Sequence, residues 1–303
     1  MNRNAIRDVS QTMQLSLKSR AVIVTVLGVM SFITLFPLIM IVSISLSNEV
    51  DIINHGFSLI PHKVSTSGYD VIFKRPDKLL NAYKVTLLVT VIGTVLSVLV
   101  SSMIAYPLSR RDFIFRRFMS FYLFFVMLFS GGLVPIYILI TRYFQLQNTY
   151  AVLILMHLVN PFTIFLIRAN FQKIPTSLIE SAKIDGASEM RIYWRIIIPL
   201  STPVLATVAL IVALGYWNDW FTSVLYITNP KLYSLQMLLK VMMEDLSTIR
   251  RDMMSQEMLR DIQVPTENLR MAMCLIAIGP IVILFPFLQK YFVQGLTVGS
   301  VKG

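Results

Sequence analysis

Two ionisable side chains within long apolar stretches are the residues that could carry out proton chemistry. His157 lies in the middle of one such stretch, and Asp219 follows another. Ionisable groups at membrane depth are typical of ion-coupled transport, so an ion-coupled secondary transporter is one candidate function. Neither side chain has a charged partner that the sequence reveals, which favours a neutral, hydrogen-bonded ring for His157. Asp219, with Asn218, either lines a path or caps the end of its helix.

The sequence motifs of common catalytic sites are absent. No G-x-x-x-x-G-K-[ST] phosphate loop occurs, so ATP hydrolysis would have to take place on another chain. No H-E-x-x-H or G-x-S-x-G motif occurs, and no carboxylates are paired within an apolar stretch, which argues against a membrane-embedded enzyme. The single cysteine, Cys274, cannot form an internal disulfide or a metal site alone, and we expect it to pack in a helix interface.

The elements that must position these groups are membrane-spanning helices. The chain is 55% hydrophobic and 14% charged, whereas a soluble domain carries about 25% charged residues. Stretches without a charged residue, each long enough to cross a hydrocarbon core of about 30 Å as a helix, lie at 21–47, 85–109, 118–141, 146–167, 200–218 and 271–289. Strands of a β-barrel would be shorter and would alternate. The predicted fold class is therefore all-α integral membrane, with six transmembrane helices.

The basic residues indicate the orientation of these helices. The net charge is +11. We interpret it as a sign of membrane topology and not of a nucleic-acid surface, because Lys and Arg accumulate in the short loops that lie on the cytoplasmic side of a membrane. The sequence RRDFIFRR at 110–117 is the clearest such loop. Six spans then place both termini and residues 168–199 in the cytoplasm. The predicted divisions are a cytoplasmic lead (1–20), a first span retained as an anchor (21–47), an outer loop (48–84), a core (85–290) and a cytoplasmic tail (291–303).

Two outer loops are long. We expect irregular or short extended structure in 48–84, where proline, glycine and serine mix with residues that favour strands. In 222–268, apolar residues recur at helical spacing and methionine is abundant, which predicts a helix that Pro265 ends. That helix is either a lid packed on its own membrane domain or a docking surface for a partner.

The most polar segment between two spans is 180–199, ESAKIDGASEMRIYWRIIIP. Ser177 and Glu180 have the spacing of a capping box, which predicts a short helix over 178–184. Asp185-Gly186 breaks it, since glycine adopts positive φ at little cost, and a second helix over 187–197 leads to Pro199. The small residues near the turn would let another protein surface approach closely. The alternative is an ordinary connector packed on its own bundle.

This segment resembles the cytoplasmic EAA loop of ABC-importer permeases, which reads E-A-A, three residues, G, nine residues, I-x-L-P. The matching positions are Glu180, Ala182, Gly186, Ile196 and Pro199. Ser181 and Ile198 are mild replacements. Elsewhere, 81–111 is similar to the start of the permease core, WNDW at 217–220 resembles the W-N-[DE]-[FW] element of the carbohydrate-importer group, and 289–303 resembles the tail of the maltose-type second permease subunit. Within that group the sequence resembles permeases for oligo- and polysaccharides, including alginate importers.

The resemblance implies a type I ABC importer permease in the bacterial inner membrane. Its partners would be a second permease, two ATPase subunits, an extracytoplasmic solute-binding protein and a carbohydrate. This chain would hold no cofactor, because ATP and Mg²⁺ would be bound by the ATPases. The residues implied to couple to an ATPase are Glu180, Ser181, Ala182, Asp185, Gly186 and Ala187. The candidate residues for a sugar path, which combine aromatic faces with polar groups, are Tyr216, Trp217, Asn218, Asp219 and Trp220.

Overall fold

A computed structural model describes the backbone of residues 17–74, 76–255 and 267–297, and the side chains of 18–74, 76–245 and 267–283. Within these ranges the secondary structure is helical, apart from one isolated antiparallel bridge between Ser47 and Val64. The helices are α1 (Leu17–Ser45), α2 (Glu49–His55), α3 (Ser67–Phe73), α4 (Pro76–Ser109), α5 (Arg116–Leu128), α6 (Leu133–Tyr143), α7 (Tyr150–Leu155), α8 (Pro161–Phe171), α9 (Thr176–Ile184), α10 (Glu189–Leu200), α11 (Thr202–Trp217), α12 (Phe221–Tyr226), α13 (Leu235–Ser255) and α14 (Glu267–Thr297).

Two of the described helices, α1 and α4, are long and apolar enough to cross a membrane individually. The number rises to four if each of two bent pairs counts as one span: α5 with α6, bent by 107°, and α10 with α11, bent by 80°. Gly132, at φ +87°, explains the first bend, because it lies directly before α6 in a conformation that glycine adopts readily. The prediction of six spans therefore stays a prediction.

The predicted fourth span is divided between α7 and α8. Asn160 caps α8, since its side chain accepts a hydrogen bond from the Phe162 amide, and Pro161 occupies the first helical position. Both residues are typical of a helix start. The Asn-Pro pair therefore begins a new helix here, and α7 and α8 are separate elements.

The chain forms two compact units, of which the first contains residues up to 72 together with 257–276. Within its described part, the carboxylate of Glu49 accepts hydrogen bonds from the backbone amides of Glu267 and Asn268, at 3.0 to 3.2 Å, and so stabilises the positive end of α14. The expectation of irregular or extended structure in the outer loop holds for 56–66, where Val64 bridges to Ser47, and is wrong for the rest of the loop. It contains α2 and α3, and α4 already begins at Pro76.

The second unit contains residues 73–256 and the chain from 277 onward. Its buried core lies between α4, α8 and α11, with fully buried side chains such as Val85, Ile164 and Val208. The start of α13 also packs here: Leu235 is fully buried and its amide donates to Thr86 Oγ1 at 2.8 Å. This supports the lid interpretation for the first turns of α13. The side chains of 246–266 lie outside the described residues, so a docking role there stays a prediction.

Candidate functional site

The predicted glycine break in the polar segment is confirmed. Helix α9 ends at Ile184, and Gly186 has φ +76°. The Gly186 amide donates to the Lys183 carbonyl at 3.0 Å, and the Ala187 amide donates to the Ala182 carbonyl at 2.9 Å. This pair of bonds is the Schellman arrangement, which satisfies the last carbonyls of a helix and requires the left-handed region at its centre. We call residues 176–189 the elbow.

The predicted capping box is wrong. Pro175, in an extended conformation, precedes α9, so Ser177 lies inside the helix, where its carbonyl accepts from the Ser181 hydroxyl. The cap instead belongs to the next helix, where Ser188 Oγ accepts from the Arg191 amide at 3.4 Å. Glu189 in the following position favours the same helix end. Ser188 directly after the glycine turn was a signal in the sequence that could have located this start.

The elbow has one anchored side and one open side. Ile179 is buried, and Ala182 and Ala187 are half-buried against the core, as the connector interpretation expects. Ile184 at the tip is 86% exposed. The remaining predicted coupling residues, Glu180, Ser181, Asp185 and Gly186, are all exposed. The Schellman turn thus holds a large apolar side chain away from the buried side of the elbow.

A network of charged side chains links the elbow to the end of α4. Lys183 Nζ lies 2.6 Å from Glu189 Oε1 and 3.5 Å from Asp112 Oδ2. Asp112 accepts two hydrogen bonds from the Arg110 guanidinium, at 3.0 and 3.1 Å. The Tyr106 hydroxyl donates to Glu189 Oε2 at 2.5 Å. Sequence reasoning missed this network, because its two halves are separated by the whole of α5 to α8 and no local pattern joins them.

The network shifts the protonation equilibria of its members. The Arg110 hydrogen bonds hold the pKa of Asp112 at about 2. Partial burial alone would raise the pKa of Glu189, but hydrogen bonds from Lys183 and Tyr106 outweigh it and lower that pKa. The bond to Glu189 raises the pKa of Lys183. All three groups therefore stay charged near neutral pH.

A cavity of about 390 Å³ opens beside the network. Charged groups of the network line it, together with apolar side chains that include Met103, Pro107, Phe113, Met190 and Tyr193. Tyr193 is itself buried and hydrogen-bonded to Ser102 at 2.7 Å. The junction between α4 and α10 is therefore tightly connected at its buried side and open at its polar rim.

The residues of the predicted sugar path fall into two groups. Tyr216 and Trp217 are 3% and 4% exposed, and the Trp217 indole donates to the Ala277 carbonyl at 3.2 Å. Trp217 therefore does not present the open ring face that we expected. Asn218 is exposed, and the Trp220 ring is 45% exposed with Lys240 Nζ 5.8 Å above its centre. Trp220 is the aromatic face that remains available.

The expectation that His157 and Asp219 lack a charged partner is also wrong, because they contact each other. His157 Nε2 lies 3.0 Å from Asp219 Oδ2. Asp219 Oδ1 accepts from the Thr222 amide at 3.0 Å, so this carboxylate also holds the start of α12. The interpretation of His157 as a hydrogen-bonded ring agrees with this contact. Asp219 acts as a cap, although for the helix after it and not for its own.

Comparison with known proteins identifies the family. Residues 93–298 match the model of the binding-protein-dependent transport system inner membrane component. The chain belongs to this family. It is therefore the membrane permease subunit of a transport system, and its helical fold is that of a type I importer permease. The elbow lies within the matched residues.

Two relatives and one solved structure show how far the similarity extends. This permease is 38% identical over 279 residues to Protein LplC of Bacillus subtilis, covering 91% of this chain and 92% of the relative. It is 37% identical over 273 residues to the polygalacturonan/rhamnogalacturonan transport system permease protein YtcP of the same organism, covering 90% and 94%. The crystal structure of a bacterial ABC transporter involved in the import of the acidic polysaccharide alginate contains a chain with TM-score 0.77 and 28% identity, covering 92% and 99%.

Proposed function

We propose that this permease forms, with a second permease, the membrane path of an ATP-driven importer for acidic oligo- or polysaccharides. The observation that carries the proposal is similarity over nine-tenths of the chain to an alginate transporter and to a polygalacturonan/rhamnogalacturonan permease. The setting we propose is a bacterial inner membrane with both termini in the cytoplasm. An extracytoplasmic binding protein would deliver the sugar, and two ATPase subunits would hold ATP and Mg²⁺.

We assign the elbow to ATPase docking. The exposed Ile184 offers an apolar anchor for a pocket on the ATPase, and the Schellman turn fixes its position. Movement of the docked elbow would reach α4 through the contacts of Lys183 with Glu189 and of Glu189 with Tyr106. Closure of the ATPases would then rock the helix bundles between inward- and outward-facing states.

The acidic nature of the sugar has separate support. Trp220 is the exposed ring of the candidate path, and Lys240 lies over it. A sugar ring stacked beside Lys240 would gain most from carrying a carboxylate. Lys240 also contacts Glu244, so a bound acidic sugar would compete with this glutamate for the lysine.

An ion-coupled secondary transporter is the second candidate, and the His157–Asp219 pair is the observation that favours it. Pairs of ionisable side chains inside a bundle are used in proton relays. Family membership argues against it, because the family is defined by dependence on a binding protein. The two candidates differ in their energy source.

The test is uptake by proteoliposomes that contain the permease with its partner subunits and binding protein. We expect an oligouronide to be taken up only when ATP is enclosed on the ATPase side. A neutral oligosaccharide of equal length should be taken up much less. Ile184→Asp should abolish uptake. Ile53→Asp, which changes an exposed isoleucine outside the elbow, in α2, should not. Uptake driven by a proton gradient without ATPases would overturn the proposal in favour of the ion-coupled transporter.

A further inference from the structure

A second and larger cavity lies at the start of α5 and shares Asp112 and Phe113 with the cavity beside the elbow. It has a volume of about 860 Å³, and four arginines line it: Arg111, Arg116, Arg117 and Arg168. We call these residues the arginine pocket. Arg111 lies in the loop before α5, Arg116 and Arg117 form its first turn, and Arg168 comes from α8. Two elements distant in the sequence thus supply positive charge to one cavity.

Ion pairs within the described part of the chain do not neutralise the charge of the arginine pocket. Among the residues that the structure describes, none of the four arginines forms an ion pair. Asp112 also lines the cavity, but its carboxylate is taken up by Arg110 and Lys183. The first turn of α5 contains no acidic residue, so its arginines lie at the positive end of a helix dipole, which is unfavourable without an anion.

One arginine is held in place. Arg168 Nη1 donates to Ser120 Oγ at 2.8 Å, and its guanidinium lies 5.9 Å from the centre of the Phe165 ring. These contacts orient Arg168 toward the cavity that Ser120 also lines. Arginine forms paired hydrogen bonds to phosphate oxygens, so the fixed guanidinium and its three neighbours suit a phosphate group.

The surroundings of the pocket are apolar on the side of α5. Ile114 is 90% exposed and Phe115 is 59% exposed, directly between the arginines. Beyond Arg117 the helix is apolar and contains no buried residue. A ligand that placed a phosphate among the arginines and hydrocarbon along α5 would match both features. Free phosphate would use only the arginines and not the apolar surface of α5.

We propose that the arginine pocket binds the headgroup phosphate of an anionic phospholipid whose acyl chains lie along α5. Basic clusters where a membrane helix leaves the bilayer on the cytoplasmic side attract such lipids. The proposal requires that α5 is part of a membrane span, and it is independent of the substrate and of the ATPase contact. A lipid at this position would fix the end of α5 against α8.

The experiment is native mass spectrometry of the complete transporter in neutral detergent, titrated with dioleoyl phosphatidylglycerol, dioleoyl phosphatidylcholine or glycerol 3-phosphate. We expect phosphatidylglycerol to be retained about tenfold more tightly than phosphatidylcholine, a difference of roughly 1.4 kcal/mol. The variant Arg111→Gln/Arg116→Gln/Arg117→Gln should lose this preference. The control Lys173→Gln/Arg191→Gln/Arg195→Gln removes the same charge from cytoplasmic-side positions outside the pocket and should keep it.

Each other outcome would overturn the proposal. Equal retention of both lipids by the unaltered transporter would show that the pocket does not distinguish the headgroup charge of the lipid. Equal losses in the two triple variants would assign the preference to general surface charge. Glycerol 3-phosphate that displaces the lipid at equal concentration would indicate a site for a soluble phosphate. A melting temperature measured for each variant separates loss of binding from loss of the fold.

Discussion

Lys183 Nζ lies 2.6 Å from Glu189 Oε1, so an ion pair closes the elbow across the Gly186 turn. The other oxygen of the same carboxylate accepts from Tyr106 in α4. Glu189 therefore holds both the preceding helix and the neighbouring span. Because both side chains of the pair are more than one-third exposed, the pair adds at most about 1 kcal/mol to folding, and its main consequence is the position of the elbow.

The first prediction concerns this pair. Lys183→Glu places two like charges at the turn, and we expect ATP-dependent uptake to fall by about fivefold, the effect of roughly 1 kcal/mol on the competent arrangement. The melting temperature of the transporter should change little. The measurement is uptake together with ATPase activity in proteoliposomes.

The double variant Lys183→Glu/Glu189→Lys is its control. It restores opposite charges at the turn but removes the acceptor for Tyr106, so uptake should recover in part. Equal uptake by all three forms would show that the contact has no role in coupling.

The second prediction concerns Gly186. Valine at φ +76° would cost roughly 1–2 kcal/mol in backbone strain, although nothing lies within 4 Å of an added Cβ. The strain should open the turn and move Ile184, so Gly186→Val should separate ATPase activity from transport while the protein stays in the membrane.

Asparagine tolerates the left-handed region, so Gly186→Asn keeps the turn while adding a side chain. It should retain most of the uptake that valine removes. If the valine variant transports at the normal rate, the role of this turn in docking is wrong. If the asparagine variant fails equally, the bulk of the side chain matters and not the backbone.

The sequence predicted features that depend on neighbouring residues. The break at Gly186 followed from the preference of glycine for positive φ, and the long helices α1 and α4 followed from charge-free stretches. The family followed from the register of the 180–199 segment. Each of these signals is contained within a few turns of chain, where local physics decides.

Other features depend on packing between distant segments and could not be predicted. The contact of His157 with Asp219 joins the segment after α7 to the segment after α11, and the Trp217 indole bonds to the Ala277 carbonyl, 60 residues away in the sequence. The misplaced cap had a different cause. Helix α9 begins at Thr176 after Pro175, one residue before Ser177, so Ser177 lies within the helix and cannot cap it, whereas Ser188 directly precedes α10 and caps that helix.

The third prediction concerns pH. The pKa of Asp112 is about 2 in the folded protein, below its value of about 3.9 in an unfolded chain. A carboxylate whose pKa is lower in the folded state stabilises that state. This stability is fully present above the pKa of the unfolded chain and is lost as the pH falls through the pKa of the folded protein. The melting temperature of Asp112→Asn should therefore lie below that of the unaltered transporter by a constant amount from about pH 8 to about pH 5.

Below about pH 4 this difference should shrink, most of it should be lost by about pH 2, and the remainder below that. Asp185→Asn is the control, since the Asp185 side chain is exposed and forms no ion pair among the described residues. Its melting temperature should stay close to that of the unaltered protein. A difference for Asp112→Asn that persists unchanged to pH 2 would contradict the assigned pairing with Arg110.

The fourth prediction concerns the contact of α4 with α11. A Cβ at Gly93 would lie 2.5 Å from the Tyr216 ring. The ring cannot move freely, because its hydroxyl donates to the Ile154 carbonyl at 2.8 Å. Gly93→Ala should therefore destabilise the permease by about 1–3 kcal/mol through overpacking, measured as a lower melting temperature in detergent.

Gly215, in α11, is the matched control because nothing lies within 4 Å of its added Cβ. Alanine there should be neutral or slightly stabilising, since it favours the helix over glycine. An equal loss of stability at both positions would mean that close packing against Tyr216 is not the reason for the glycine.

The last prediction concerns Trp220, the exposed ring of the candidate path. If a sugar stacks on it, Trp220→Ala should raise the half-saturating oligouronide concentration for uptake by about two- to twelvefold, as expected for an aromatic contact of roughly 0.5–1.5 kcal/mol. Trp220→Phe keeps a ring and should lose less. Trp194→Ala is the control, because Trp194 is similarly exposed, at 48% against 45%, but lies in α10. It should leave half-saturation unchanged, and a matching rise there would remove Trp220 from the path.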